Sequence, residues 1–146
     1  FDTDMVGPYG YCADISRTYV EGNKFSDNQK KLYSMAVEQI HHNARLIKPG
    51  MSFKEFTEKS WVLPEEYYGN RYSVMVHGIG LCDEWPAIRY PTDGGERSGT
   101  FETNMTITVE SYIGKVGGNE GVKLEQQYLV GKNNLELMSH HPLEDI

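Results

Sequence analysis

The sequence predicts an α+β domain, a curved and mainly antiparallel sheet with helices packed on one face. Two late segments, residues 105–112 and 121–131, alternate apolar and polar side chains with the period of two that a strand imposes. A long earlier segment carries Leu32, Ala36, Ile40, Ala44 and Ile47 at helical spacing. Acidic residues that a strand pattern turns away from the apolar face point to the side of the sheet that the helices leave open.

Residues 1–6 alternate and then turn at Gly7-Pro8, and residues 11–20 alternate again, so a hairpin is expected. Ser26 is the N-cap of the first helix and Pro49-Gly50 stops it. The run Ser52-Phe53-Lys54-Glu55 reads as a capping box opening a second, shorter helix with Phe53 and Phe56 inward. Residues 72–77 form a strand that delivers His77 at its end. Residues 81–104, rich in Pro, Gly and charge, read as a long loop of the functional kind. In the next strand Met105, Ile107 and Val109 share one face, with Thr106, Thr108 and Glu110 on the other. In the last, Val122 and Leu124 flank the opposite-facing Lys123 and Glu125.

The 146 residues suit one domain with a real core. A net charge of −7 argues against nucleic acid and against an anionic membrane surface as partners. No apolar run is long enough to span a bilayer and no basic-then-apolar leader opens the sequence. Two cysteines, Cys12 and Cys82, make no disulfide scaffold, so a reducing cytoplasm is the expected compartment. The opening Phe1-Asp2-Thr3-Asp4 reads as the middle of a strand, which suggests a piece whose N-terminal part is missing, whereas residues 140–146 read as a natural polar tail.

Asp2, Asp4, Asp14, His77, Glu110 and Glu125 all fall in or beside strand segments. Carboxylates share a buried pocket only if positive charge neutralises them. Asp4, Asp14, Glu110 and Glu125 carry four negative charges and two divalent cations carry four positive ones, with a neutral His77 adding a nitrogen. An oxygen-rich set with one imidazole suits iron, manganese, zinc or cobalt better than a thiolate-seeking metal. Arg17 beside these acids is expected to pair with one of them. His41-His42 and His140-His141 read as solvated residues on a polar helix face and in a tail.

The stretches Tyr11-Cys12-Ala13-Asp14-Ile15-Ser16-Arg17-Thr18, His77-Gly78-Ile79-Gly80, Met105-Thr106-Ile107-Thr108-Val109-Glu110, and Leu124-Glu125 followed by Tyr128-Leu129-Val130 resemble the creatinase, prolidase and methionine-aminopeptidase family. The resemblance implies the pita-bread fold, with residues 1–146 as the C-terminal part of a catalytic domain that other segments precede. It implies a two-metal site on Asp4, Asp14, His77, Glu110 and Glu125. Three departures stand out. The family spacing of its two early aspartates falls at Thr3, between Asp2 and Asp4. The peptidases' second histidine and the Glu after it are Glu84 and Trp85 here, and their Glu-Pro is Glu110-Ser111. Loss of a histidine that hydrogen-bonds the peptide argues against ordinary peptidase chemistry.

Residues 1–8 and the run from Val76 to Pro86 are similar to one branch of that family, the metallopeptidase-like dimethylsulfoniopropionate (DMSP) lyases of marine bacteria, the DddP type. The branch resemblance adds Asp2 to the metal ligands and makes Asp83 the catalytic base. It implies a carbon–sulfur lyase yielding dimethyl sulfide and acrylate, two divalent metals with iron first and zinc, manganese, cobalt or nickel as alternatives, and a homodimer. A sulfonium suits an aromatic cage, for which Tyr72, Trp85 and Tyr90 are the candidates, with Trp85 also an apolar wall beside Asp83. The competing reading is a prolidase-like or creatinase-like metallohydrolase acting on Xaa-Pro peptides, and a third is a binding module that has lost catalysis.

Overall fold

The computed structural model describes residues 1–22, 24–94 and 98–143. Its first elements are β1 (Met5–Val6) and β2 (Cys12–Ala13), separated by one 3-10 turn at Pro8–Gly10. They pair antiparallel, Met5 with Ala13 and Val6 with Cys12, and an isolated bridge joins Asp2 to Ser16 in the same register. That register sets Asp4 across from Asp14. The expected hairpin is present, but its ladder is short. Between the two paired stretches the Thr3 hydroxyl accepts from Ile15 N at 3.0 Å and donates to Ile15 O at 3.1 Å, so a side chain meets the backbone groups a ladder would use.

Helix α1 (Asp27–Leu46) begins at a full capping box: Gln29 N donates to Ser26 Oγ, and the Gln29 side chain accepts from Ser26 N. Its buried side includes Leu32, Ala36 and Ile40, with Ile47 buried just past the end, so the predicted stripe faces the core. Helix α2 (Phe53–Lys59) is capped by Ser52, whose Oγ accepts from Glu55 N at 3.0 Å, while the Glu55 carboxylate pairs with Lys59 at 2.6 Å. A further short helix, α3 (Glu65–Tyr68), was not legible in the sequence.

The main sheet contains β3 (Val74–Gly78), β4 (Ala87–Arg89), β5 (Thr106–Gly114), β6 (Gly121–Val130) and β7 (Leu135–Leu137), in the order β4-β3-β5-β6-β7 with every neighbouring pair antiparallel. The long loop expected over residues 81–104 is therefore interrupted. Within it, Ala87 and Ile88 are buried, and they pair with His77 and Val76 to form an edge strand too short to show any periodicity. Residues 95–97 of that loop and 144–146 of the expected tail lie outside the described residues. Farther on, Phe101 N donates to Met51 O and Gly50 N to Phe101 O, which seats Phe101 under α2.

Helix α1 packs on β5 and β6. Ile107, Val109 and Ile113 from β5 join Val122, Leu124 and Tyr128 from β6 and the α1 stripe in one cluster. Phe101 is fully buried, edge-on to Phe53 at 4.9 Å and to Phe56 at 5.7 Å between centroids. The polar Ser111 also turns to the helix side. It donates to Gln39 Oε1 at 2.6 Å, and Gln39 donates to the Tyr90 hydroxyl at 2.6 Å, so a buried polar chain is satisfied inside the core.

Along the edge of β6 away from β5, the segment after β2 meets it: Glu125 N donates to Ser16 O at 3.1 Å, and Thr18 Oγ1 both accepts from Lys123 N and donates to Lys123 O. Arg17 fixes this seam, though not by the acid pairing expected of it. Its guanidinium donates to the carbonyls of Ser16, Glu125, His141 and Pro142 and to Gln126 Oε1. A buried planar fork satisfies several carbonyls at once, and here it ties the hairpin, β6 and residues 141–142 together.

Two substitutions test this core by denaturant unfolding. Phe101→Ala is expected to remove about 3–5 kcal/mol of stability. Ser26→Ala is expected to cost about 1 kcal/mol through the lost cap.

Candidate metal centre

Strand register assembles the acids. Glu110 on β5 stands directly opposite Glu125 on β6, and His77 on β3 stands opposite Thr108, which places His77 diagonal to Glu110 on the same face. The seam along β6 brings Asp14 to the same point from the other side. His77, Asp14, Glu110 and Glu125 are each 3% exposed or less. His77 Nε2 lies 3.2 Å from Glu125 Oε1, 3.3 Å from Glu110 Oε1 and 3.8 Å from Asp14 Oδ2.

The histidine is held from behind. Its Nδ1 lies 2.9 Å from the Gly78 carbonyl, which fixes a proton on Nδ1 and aims Nε2 into the acids. Burial works against a charged imidazole, but the Glu125 and Glu110 carboxylates beside it outweigh that and raise His77 to about 9. Burial, with the Glu125 charge next, pushes Glu110 up to about 8 and Asp14 up to about 7. Burial also opposes ionisation of Glu125, yet His77 and Lys123 together hold it below the usual carboxylate range.

Three oxygens in this nest, Asp14 Oδ1, Glu110 Oε1 and Glu125 Oε1, are buried with no hydrogen-bond partner among the described residues. An orphaned carboxylate oxygen at such burial is costly. Several of them converging beside an imidazole nitrogen fit a divalent cation, which takes such oxygens and one nitrogen together. Ligand atoms of Asp14, His77 and Glu125 lie within 4.8 Å of one another, and so do those of Asp4, Asp14 and Asp83. Asp14 thus belongs to a closed group and an open one.

The sequence candidates distribute as follows. Asp14, His77, Glu110 and Glu125 converge. Asp4 and Asp83 flank Asp14 at the solvent side. Asp2 sits apart from both groups: it accepts from Ser16 Oγ and lies 3.4 Å from Lys123 Nζ. Ser16 Oγ also lies 2.9 Å from Glu125 Oε2, which links Asp2 to the nest through one hydroxyl. Burial opposes ionisation of Asp2, but Ser16 and Lys123 hold it below its ordinary value.

Tyr72 is partly exposed, and the Lys123 ammonium stands 4.6 Å from its ring centroid. Burial together with the Glu110 and Glu84 charges raises Tyr72 to about 12. Trp85 is 59% exposed and lines a groove with Tyr11, Cys82 and Pro86, so it does not enclose Asp83 in the apolar wall expected of it. Tyr90 is buried among Tyr68, Arg71 and Gln39 in the core and is unavailable as a cage residue. Glu84 is exposed, with a positive φ of 57°.

Sequence reasoning passed over Lys123 and Ser16. Lys123 Nζ lies 2.6 Å from Glu110 Oε2 and 3.5 Å from Glu125 Oε2. Its signal was present, since a residue two positions before Glu125 in a strand shares its face.

The loop carrying Asp83 is seated by Gly78. A Cβ there would lie 2.1 Å from the Trp85 carbonyl oxygen, so only glycine admits the loop this close. Gly78 N donates to Pro86 O, and Cys12 N donates to Gly80 O, which fastens the loop to the hairpin. The Asp83 carboxylate accepts from Glu84 N at 3.0 Å.

Residues 1–132 match the model of metallopeptidase family M24. The chain is 38% identical to the dimethylsulfoniopropionate lyase DddP of Roseovarius nubinhibens over 99% of its own length, and 36% identical to that of Roseobacter denitrificans. It spans about a third of both, 33% in each case. Among solved structures it is similar to the Xaa-Pro dipeptidase from Bacillus anthracis (TM-score 0.77, 28% identity, 93% of this chain and 37% of that one). The prolidase from Pyrococcus furiosus is similar too (TM-score 0.73, 27% identity, 90% of this chain and 38% of that one).

The charge arrangement fixes a pH dependence. Asp14 and Glu110 keep protons in the folded state that the unfolded chain releases above their ordinary values of 3.8 and 4.5, so their contribution declines as pH rises through about 7 and 8. His77 contributes fully below its ordinary 6.5 and loses that contribution as pH rises through about 9. The depressed Glu125 acts only at acid pH, below 4.5. Thermal melting of the metal-free protein is therefore expected to show a falling midpoint between about pH 5 and 9. Because a metal needs deprotonated ligands, added Mn²⁺ should raise the midpoint more at the alkaline end than at the acid end.

Proposed function

This chain belongs to metallopeptidase family M24, and on that premise we propose that it cleaves dimethylsulfoniopropionate to dimethyl sulfide and acrylate at a metal centre held by Asp2, Asp4, Asp14, His77, Glu110 and Glu125. The observation that carries the reading is the position of Asp83. Beside the buried acids of the centre, Asp83 is a partly exposed carboxylate on the solvent side, within ligand reach of Asp4 and Asp14. Similarity to lyases over nearly the whole chain supports it, as does Glu84 standing where the peptidases carry histidine.

The substrate has a carboxylate at one end and a sulfonium on the β-carbon. Asp83 takes the proton from the carbon next to the carboxylate. The C–H electron pair becomes the carbon–carbon double bond of acrylate, and the β-carbon–sulfur bond breaks with its electrons leaving on dimethyl sulfide. That proton is weakly acidic, and a bound divalent metal, iron by first expectation, would supply Lewis-acid stabilisation of the negative charge that develops on the substrate carboxylate. The Glu84 amide orients the Asp83 carboxylate, and the loop backbone packed on Gly78 holds its distance from the nest. A base that relies on placement gains from such fixing. Tyr72, beside the acids and already under one cation, is the aromatic face offered to the sulfonium, with Trp85 at the loop edge as a second contact. A homodimer and a cytoplasmic setting complete the proposal. They rest on the family resemblance and on the two cysteines, which are free.

The alternative hydrolase reading has support in the likeness to Xaa-Pro dipeptidase and prolidase structures. Protein carrying this chain, supplied with iron and offered DMSP and Xaa-Pro dipeptides in parallel, is expected to release dimethyl sulfide into the headspace with equimolar acrylate and to leave the dipeptides intact. Dipeptide cleavage without dimethyl sulfide would overturn the lyase reading. Asp83→Asn is expected to lower kcat by about 10²–10⁴-fold with metal content near wild type. Glu125→Ala should lose metal first and activity as a consequence, as elemental analysis of the purified variant will report.

A further inference from the structure

Within the metal-centre reading, on which this step rests, one charge has no assigned task. Lys123 lies in β6, two residues before Glu125, with a side chain only 20% exposed. Its ammonium reaches Glu110 Oε2 at 2.6 Å, Asp2 Oδ2 at 3.4 Å and Glu125 Oε2 at 3.5 Å, and it stands over the Tyr72 ring. Each of the two glutamates is thereby divided. Its Oε2 faces Lys123, and its Oε1 is the orphaned oxygen aimed at His77. Among the described residues, the cationic groups in ion-pair reach of Glu110 and Glu125 are His77 and Lys123. The nearby Arg17 spends its donors on carbonyls and an amide oxygen.

We propose that Lys123 is the internal counter-cation of the metal centre: it holds the Oε2 side of the Glu110–Glu125 pair, so that the nest is assembled before any metal arrives, and it weakens metal binding relative to the carboxylates alone. Two effects compete when a metal enters. Prealignment of the glutamates by the ammonium favours binding. Repulsion between the ammonium and a dication on the other oxygen of the same carboxylates opposes it. The two oxygens of a carboxylate share one carbon, so the charges stand close together in a poorly solvated place, where Coulomb repulsion exceeds the benefit of fixing two side chains. The net sign is weaker binding and an exchangeable metal. The acid count agrees: Asp2, Asp4, Asp14, Glu110 and Glu125 bring five negative charges, which two dications and one ammonium balance.

The proposal separates stability from affinity, which a merely structural lysine does not. Protein carrying this chain is stripped with chelator, and thermal melting is followed by calorimetric titration with Mn²⁺ at one fixed pH. Lys123→Met is expected to lower the metal-free melting midpoint and at the same time to tighten the first Mn²⁺ equivalent by about tenfold or more. Lys123→Gln, which keeps a hydrogen-bond donor and drops the charge, should tighten Mn²⁺ in the same direction and serves if the Met variant does not fold. Lys123→Arg, which keeps the charge, should leave the affinity within about threefold of wild type. Binding no tighter than wild type in folded Lys123→Met or Lys123→Gln would overturn the counter-cation. Wild type that binds no Mn²⁺, or Glu125→Ala that binds it as tightly as wild type, would overturn the metal centre itself.

Discussion

Everything in this structure answers to one electrostatic constraint: two glutamates face each other on adjacent strands with essentially no access to water. Like charges directly opposed across a ladder repel, and burial removes the solvent that would screen them. Glu110 and Glu125 stand in that arrangement with the His77 imidazole against one oxygen of each and the Lys123 ammonium against the other. The raised values of Glu110, Asp14 and His77 express the same constraint in protons. A nest that keeps protons on buried acids beside an imidazole has the ligand types that the proposed dication would need deprotonated.

The sheet divides its labour by face. One face carries Ile107, Val109, Leu124 and the α1 stripe, and it supplies the burial that keeps β5 and β6 in register. The other face gathers the acids. The two are coupled at a single residue step, since Ser111 joins a buried polar chain to Gln39 and Tyr90 while its neighbour Glu110 points into the nest. A serine that bonds into the core fixes the strand by hydrogen bonding.

The loop bearing Asp83 is placed by backbone rather than by side-chain packing. Gly78 yields its Cβ so that the Trp85 carbonyl can rest on β3, and main-chain bonds to Pro86 and from Cys12 pin both ends. Such a device holds a carboxylate at a fixed distance while leaving it partly exposed, and it leaves Trp85 on the outer surface.

Period-two alternation in residues 105–112 and 121–131, the α1 stripe with its Ser26 cap, and the Asp14, His77, Glu110 and Glu125 quartet were all legible in the sequence. Local geometry dictates which way each of those side chains points. The edge strand at Ala87–Arg89 and helix α3 were not legible, because elements of three or four residues are too short to display a period. Nor were the partners of Arg17, the burial of Tyr90, or the bridging of Asp2 through Ser16. Those depend on which segments meet, and residues far apart in the chain meet only after the sheet has formed. The sequence by itself determined the face on which each acid stands. Only the tertiary structure decided which cation each acid would find, because strand direction is a local property of the backbone and charge neutralisation is a property of the assembled pocket.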